Sequence, residues 1–357
     1  MRAMVEGPIW LGSEKEEGNR GEGQGCPRED EMKIVILGAG ALGSVIGGCL
    51  ARAGEEVTLV DVPSPHLEAI AKRGLRVTGF QDFSVPIGVT DQPNAIQEAD
   101  VLLVITKSMD TEKALQGVRH LKVQYASSVQ NGVAKDERLA QIFGEEGVLG
   151  GLTLVAAQRP EPGVATWTAE GVTYFGELKG GITPRVEALV GAFQRSGLKA
   201  EVKENILSLE WSKFIAWAAT GMLSALTRLP FPKILRSRDL ASLCIKMVRE
   251  LSQIPMAKGI PLENCGPHRT RSMLDLSFEQ AVQEVMEAGA RVDRPGVSPY
   301  HSTAQDILAG RKTEMEDCIG PLMGEARRGK IEIPLTEAVY ALAQGLEASI
   351  ALQKNHS

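Results

Sequence analysis

Cysteine is scarce and scattered: Cys26, Cys49, Cys244, Cys265 and Cys318 are odd in number and nowhere form a C-x-x-C pair. That pattern excludes a disulfide framework and a zinc site, and reads as reduced thiols of a cytoplasmic protein. The five histidines are equally dispersed, so no metal is expected. Long apolar runs are missing too. The longest, Phe214 to Leu226, is interrupted by Thr220 and Gly221 and is too short to cross a bilayer. Nor is there a surplus of positive charge: 39 basic against 45 acidic residues give a net charge of −6 and a pI near 5.6. A nucleic-acid or anionic-membrane surface is therefore not expected. Basic residues must matter singly, as ligands for phosphate or carboxylate.

What remains is an ordinary globular balance, 43% apolar and 24% charged, over 357 residues, enough for two domains with real cores. Residues 1–31 stand apart: rich in Gly, Glu and Arg and without the apolar core of a secretory signal, they read as a disordered tail. From Met32 short β-rich runs alternate with helical stretches. Lys33–Leu37, Glu56–Val60, Val101–Ile105 and Ala126–Val129 are expected strands, with helices near Ala41–Ala53, Ser64–Arg73 and Thr111–Leu121. Strand, helix, strand in this order implies a parallel sheet with right-handed crossovers. A hairpin of Leu75–Thr78 and Ser84–Val89 is also expected. After about Asn205 helical periodicity dominates, with Pro and Gly breaks, and five to seven helices are expected. The expected fold is thus an α/β Rossmann-type domain over 32–205 followed by an all-α domain over 206–357.

Gly38-Ala39-Gly40-Ala41-Leu42-Gly43 follows the first strand and opens a helix. Gly38 permits the tight turn, Gly40 a close approach of backbone to a pyrophosphate, and Gly43 close packing of helix on sheet. The N–H groups of Ala41 and Leu42 belong to a helix N-terminus, which favours phosphate. A glycine turn that binds no nucleotide is the competing reading. The agreement of motif, strand, helix and a following acid outweighs it. That acid is Asp61, at the end of the second strand. Its carboxylate can accept from the adenosine ribose hydroxyls and would repel a 2′-phosphate, which favours NADH over NADPH. Lys107 and Asn131 also follow expected strands, where a Rossmann sheet meets its ligands. A solvated lysine and a plain Asn-Gly turn are the bland alternatives.

In the helical half, Lys213 lies in a strongly apolar stretch between Trp211 and Trp217. Snorkelling to the surface is the usual outcome. In a cleft, desolvation would instead lower its pKa and make it a usable proton donor for ketone reduction. Ser302 and Glu314 end about 120° apart on a straight helix at about 100° per residue. They can converge only if the helix breaks between them, and Gly310 is the candidate break.

The glycine loop, Lys107, Asn131-Gly132, Trp211-x-Lys213, Ala225-Leu-Thr227 and the tract from Ser302 through Gln305-Asp306-Ile307 to Gly310-Arg311 and Thr313-Glu314 together resemble the ketopantoate reductases, from Met32 to about Glu347. The resemblance implies a Rossmann domain joined to a helical domain like that of 6-phosphogluconate dehydrogenase. It implies NAD(P)H as cofactor, usually NADPH, and reduction of 2-dehydropantoate to pantoate on the way to coenzyme A. By position it implies Lys213 as general acid and Glu314 as the carboxylate for the substrate hydroxyl and ketone region. Ser302 would lie near the substrate carboxylate, Asn131 at cofactor and substrate, and Lys107 near the cofactor. A homodimer and a small 2-oxo acid partner go with it. Three departures matter. Trp217 and Gly221 stand where the family commonly has asparagines, which reshapes the substrate pocket and opens a bulkier or more apolar 2-oxo acid as substrate; Asp61 is the third. A catalytically inactive nicotinamide-nucleotide-binding sensor or partner protein is the alternative function.

Overall fold

The structure is a computed structural model that describes residues 31–293 and 299–355; the expected tail, with Cys26, lies outside the described residues apart from Glu31. In chain order the first half comprises β1 (Lys33–Leu37), α1 (Ala41–Arg52), β2 (Glu56–Val60), α2 (Pro65–Arg73), β3 (Leu75–Gly79), β4 (Phe83–Val85), β5 (Gly88–Thr90), β6 (Glu98–Val104) and α3 (Thr111–Gly117). It continues with β7 (Lys122–Ser128), α4 (Lys135–Phe143), β8 (Val148–Thr153), β9 (Ala156–Glu161), β10 (Val164–Ala169), β11 (Thr173–Glu177), α5 (Pro184–Arg195) and β12 (Ala200–Val202). The main sheet runs β12-β11-β8-β7-β6-β1-β2-β5. All its neighbours pair in parallel except β8 with β11.

β1 shows why this sheet is buried on both faces. Ile34 and Ile36 point into one apolar cluster with α1 and α5, while Val35 and Leu37 join a second with α3 and α4. Alternate residues of a strand face opposite sides, so an uninterrupted apolar run needs cover on both. The strand order reverses about β1, with β2 on one side and β6 on the other. A crevice opens at the carboxyl ends of strands at such a point.

The expected hairpin is split. Phe83–Val85 pairs antiparallel with β3, but Gly88–Thr90 pairs in parallel with β2 in the main sheet. Pro86 lies between the two pieces, has no N–H to continue a ladder, and lets the chain cross from one sheet to the other. β4-β3-β10-β9 form a separate four-stranded sheet, and its Val77 and Trp167 share a core with Ile46 and Leu50 of α1.

The second half is helical: α6 (Ile206–Thr227), α7 (Phe231–Arg236), α8 (Arg238–Ala257), α9 (Thr270–Asp275), α10 (Phe278–Val292), α11 (Ser302–Leu308), α12 (Met315–Gly329) and α13 (Pro334–Asn355). Eight helices are thus seen among the described residues, against five to seven expected. The surplus comes from α7, α9 and α11, which are too short to register as periodicity. Asn205 caps α6 by accepting from the Ser208 N–H at 3.2 Å. α6 is buried on nearly every side from Ser208 to Ala225, as a helix at the centre of a bundle must be. Among the described residues no helix is long and apolar enough to cross a membrane.

The glycine loop is pressed against the end of β6 and against itself. Gly38 has φ +110, and a Cβ there would meet the Thr106 nitrogen at 2.7 Å. A Cβ on Gly43 would lie 2.0 Å from the Gly38 carbonyl oxygen, whereas one on Gly40 would meet nothing within 4 Å. Gly43→Ala should therefore force α1 off the sheet and cost about 1–3 kcal/mol, the usual range for overpacking. Gly40→Ala should leave the thermal midpoint where it is. Thermal unfolding of the two variants checks the contrast.

Candidate active site

The carboxyl ends of β1, β6 and β7 carry three short segments, the glycine loop, Thr106–Ser108 and Gln130–Gly132, and the latter two meet the helical half. Gly40 precedes α1, whose first turn has neither a side-chain cap nor an acidic residue. The N–H groups there and the open space above Gly40 suit a dinucleotide pyrophosphate. Asp61 sits beside them. Its Oδ2 accepts from the Ala39 N–H at 2.8 Å and its Oδ1 from the Val62 N–H at 2.7 Å. The carboxylate is thereby fixed against the loop, with lone pairs to spare for ribose hydroxyls.

Lys213 does not snorkel away. Its Nζ donates to Asn131 Oδ1 at 3.1 Å and to the Thr153 carbonyl at 3.0 Å. The chain supplies this seat from α6, the loop after β7 and the end of β8. Burial pushes the ammonium down to about 8, and the nearby Lys135 ammonium adds to the effect. Cys265, Glu210 and Cys318 act in the opposite sense. An ammonium carries three protons, and these contacts occupy two.

Glu314 approaches from the start of α12. Its Oε1 accepts from the Ser108 backbone N–H at 2.7 Å. Burial raises its pKa, against the pull of that N–H and of Lys107. Lys213 and Glu314 share no hydrogen bond; they reach the same strand ends through neighbours. Cys318, one turn after Glu314, places its Sγ 3.1 Å from Ser108 Oγ and 3.5 Å from the Asn131 carbonyl. Burial pushes this thiol up to about 12, so it stays protonated.

Lys107 is paired across the cleft, its Nζ 3.0 and 3.2 Å from the two oxygens of Asp306. Arg311 Nε donates to the same carboxylate at 2.8 Å. Ser302 is the exposed first residue of α11 and makes no side-chain hydrogen bond among the described residues. Ser302 and Glu314 do lie on separate helices, because α11 stops at Leu308 and Gly310 turns the chain with φ +62.

Residue spacing gave no hint of His301. Its ring lies 4.9 Å from that of Trp217, which in turn stacks on Phe214 at 5.7 Å. A Cβ on Gly221 would meet His301 Cε1 at 2.7 Å. The imidazole thus fills the space that a side chain at 221 would take, on the face of α6 that carries Lys213. Thr303 Oγ1 lies 2.9 Å from the Gly221 carbonyl, which can only accept, so the hydroxyl proton points there. His301 Nδ1, 2.8 Å from the same hydroxyl oxygen, is then the donor. The Thr303 backbone N–H lies 3.4 Å from Nδ1, which as a donor cannot also accept from it. Nε2 is buried and without a partner among the described residues. One feature of the sequence could have drawn attention to this residue: it directly precedes Ser302.

Two family models match the chain. The one described as "Ketopantoate reductase PanE/ApbA" matches residues 34–180, and the one described as "Ketopantoate reductase PanE/ApbA C terminal" matches residues 205–347. The 2-dehydropantoate 2-reductase of Pyrococcus abyssi is 32% identical over 319 residues, which cover 89% of this chain and 98% of that relative. Among solved structures, the PanE/ApbA family ketopantoate reductase from Ralstonia eutropha JMP134 is 27% identical, with a TM-score of 0.75 over 90% of this chain and 100% of that one. A D-mandelate dehydrogenase solved with NADH and anilino(oxo)acetate has a TM-score of 0.76 over the same 90% and 100%, at 20% identity, a likeness of fold.

His301 and His268 are both buried, and burial lowers each from 6.5 to about 3. Between those pH values the unfolded chain binds protons that the folded chain refuses, so stability must fall as the pH drops from 6.5 towards 3. Each histidine contributes a slope of about 1.4 kcal/mol per pH unit. His301→Gln should remove one such share. Its unfolding free energy should vary less steeply than the wild type's between about pH 6 and 4, as denaturant titrations at a series of pH values would show.

Proposed function

The chain belongs to the ketopantoate reductase family, nicotinamide-dependent oxidoreductases that act on the ketone of a 2-oxo acid, and we propose that it reduces 2-dehydropantoate to pantoate with Lys213 as the general acid. The observation that carries this reading is the Lys213 seat, a partly buried ammonium of lowered pKa held at the ends of β7 and β8.

The bound cofactor supplies a hydride to the ketone carbon. As the carbonyl π pair moves to oxygen, the third Lys213 proton is the one free to meet it. Asn131 Oδ1 and the Thr153 carbonyl fix the direction of that proton, and the resulting neutral amine takes up a proton again before the next turnover. Glu314, oriented by the Ser108 N–H, accepts from the substrate hydroxyl. Ser302 and Lys107 are the donor and cation offered to the substrate carboxylate and the cofactor, Lys107 after exchange from Asp306. Gly38, Gly40, Ala41, Leu42 and Gly43 hold the pyrophosphate.

The arrangement around Trp217 supports a second substrate reading. An indole stacked on Phe214 and backed by His301 presents an apolar wall, which suits a bulkier or more apolar 2-oxo acid. Turnover of a panel of 2-oxo acids separates the two; faster reduction of an aryl or branched-alkyl acid than of 2-dehydropantoate would favour the second.

Lys213→Ala should bind NADH as the wild type does while kcat falls by about 10²–10⁴-fold, the usual worth of a positioned acid. In the wild type, kcat for reduction should decline as the pH rises through about 8, where the ammonium loses its proton. A retained kcat in the variant would remove Lys213 from the mechanism. Asp61 favours NADH as cofactor, because its loop-bound carboxylate would face a 2′-phosphate. Asp61→Ser should narrow the NADH-over-NADPH preference in kcat/KM by about tenfold or more, the scale of one lost charge repulsion of about 1–2 kcal/mol.

A further inference from the structure

One helical turn before Lys213, the same three segments of chain meet a second time. Asn131 and Lys135 flank the entry to α4, Gly151 and Thr153 share β8, and Glu210 and Lys213 share α6. At one meeting point Lys213 donates to Asn131 and Thr153. At the other, Glu210 Oε1 accepts from Lys135 Nζ at 2.7 Å and from the Gly151 N–H at 2.7 Å. The polarity is reversed: α6 supplies the donor at the first and the acceptor at the second. Two fixed points on one helix define both its position along its axis and its rotation, which a single contact leaves free.

The second junction is dry, with the Lys135 and Glu210 side chains 4% and 3% exposed. α6 and β8 also touch closely there, since a Cβ on Gly150 would lie 2.6 Å from Ile206 and 3.2 Å from Glu210 Oε1. Asp136 completes it, its Oδ1 2.7 Å from Lys135 Nζ. Glu210 Oε1 thus gathers two N–H donors at one point, while Asp136 Oδ2 is buried with no hydrogen-bond partner among the described residues. Burial, then the neighbouring Asp136 charge, raises the Glu210 pKa, and the Lys135 ammonium opposes them.

We propose that Lys135 and Glu210 are positioning residues for the reduction, clamping α6 to β8 and to the Asn131 loop so that the Lys213 ammonium stays in register with the substrate ketone. The inference rests on the reading of Lys213 as the acid. A displacement of about 1 Å in such a group can cost on the order of 10²-fold in rate.

Glu210→Gln tests it first: the amide oxygen keeps the acceptor for Lys135 and Gly151. It should keep kcat within about twofold and the same high-pH limb. Glu210→Leu should lower kcat by about 10²-fold, leave NADH affinity unchanged, and move the limb from about 8 towards that of a free lysine. The titratable groups that face Lys213 and could also move that limb are Glu210 itself, whose charge is lost equally in both variants, and Lys135, Cys265, Cys318, His268 and His301, which are intact in both. If Glu210→Leu does not fold, Lys135→Met with Asp136→Asn and Glu210→Leu exchanges the buried ionic cluster for uncharged residues of similar size, a swap that folds tolerate; the same fall in kcat is expected, and kcat alone is read because Lys135 itself acts on Lys213. A folded leucine variant with wild-type kcat and limb would overturn the inference, and so would a glutamine variant as impaired as the leucine one. Lys213→Ala, run alongside, separates the two claims: full activity there would sink the acid assignment itself, whereas lost activity there with an unaffected leucine variant would sink only the clamp.

Discussion

A single ammonium, drawn out of water and held between a helix and a sheet, is the constraint on which the arrangement turns. Desolvation alone would make Lys213 a poor cation and a mobile one. Two oxygen acceptors, an asparagine amide and a strand-end carbonyl, offset part of that cost and fix its direction. Both acceptors belong to the sheet half, while the lysine belongs to the central helix of the bundle. The site is therefore a property of the junction and of neither half alone. That explains why α6 is apolar on nearly every side and yet interrupted by Glu210 and Lys213, whose polar ends both point to the sheet.

The sheet contributes through its topology. The reversal of strand order about β1 brings the glycine loop, Thr106–Ser108 and the Asn131 turn to one edge, although they are far apart in the chain. Each offers a different group: open backbone at Gly40, a backbone N–H at Ser108, a side-chain amide at Asn131. The helical half answers with Glu314, Cys318 and Lys213.

Much of this was legible in the residues alone because it is locally encoded. A glycine with positive φ, another pressed against a carbonyl, and an acid at the end of the next strand are demanded by backbone geometry, and sequence spacing reports them directly. The break between Ser302 and Glu314 was legible for the same reason, since Gly310 marks it. What escaped is non-local. Lys107 looked like a free ligand for cofactor or substrate, but its partner Asp306 is 199 residues away. Trp217 and Gly221 looked like the plain loss of two amides. Their neighbour His301 comes from another helix, and no periodicity within α6 could announce it. The hairpin that became two strands in two sheets turned on Pro86, a residue whose missing N–H is easily overlooked in a short β-rich run.

The contacts that span the cleft differ in their access to water. Lys107 is 46% exposed where it meets Asp306, whereas Lys135 and Glu210 are sealed. Dissolved ions screen the first kind of pair and barely reach the second. Rising ionic strength should then weaken the Lys107–Asp306 pair first and leave the Lys135–Glu210 pair nearly untouched. For a protein whose ligands are themselves anions, the mouth of the site is thus the part most responsive to the surrounding electrolyte.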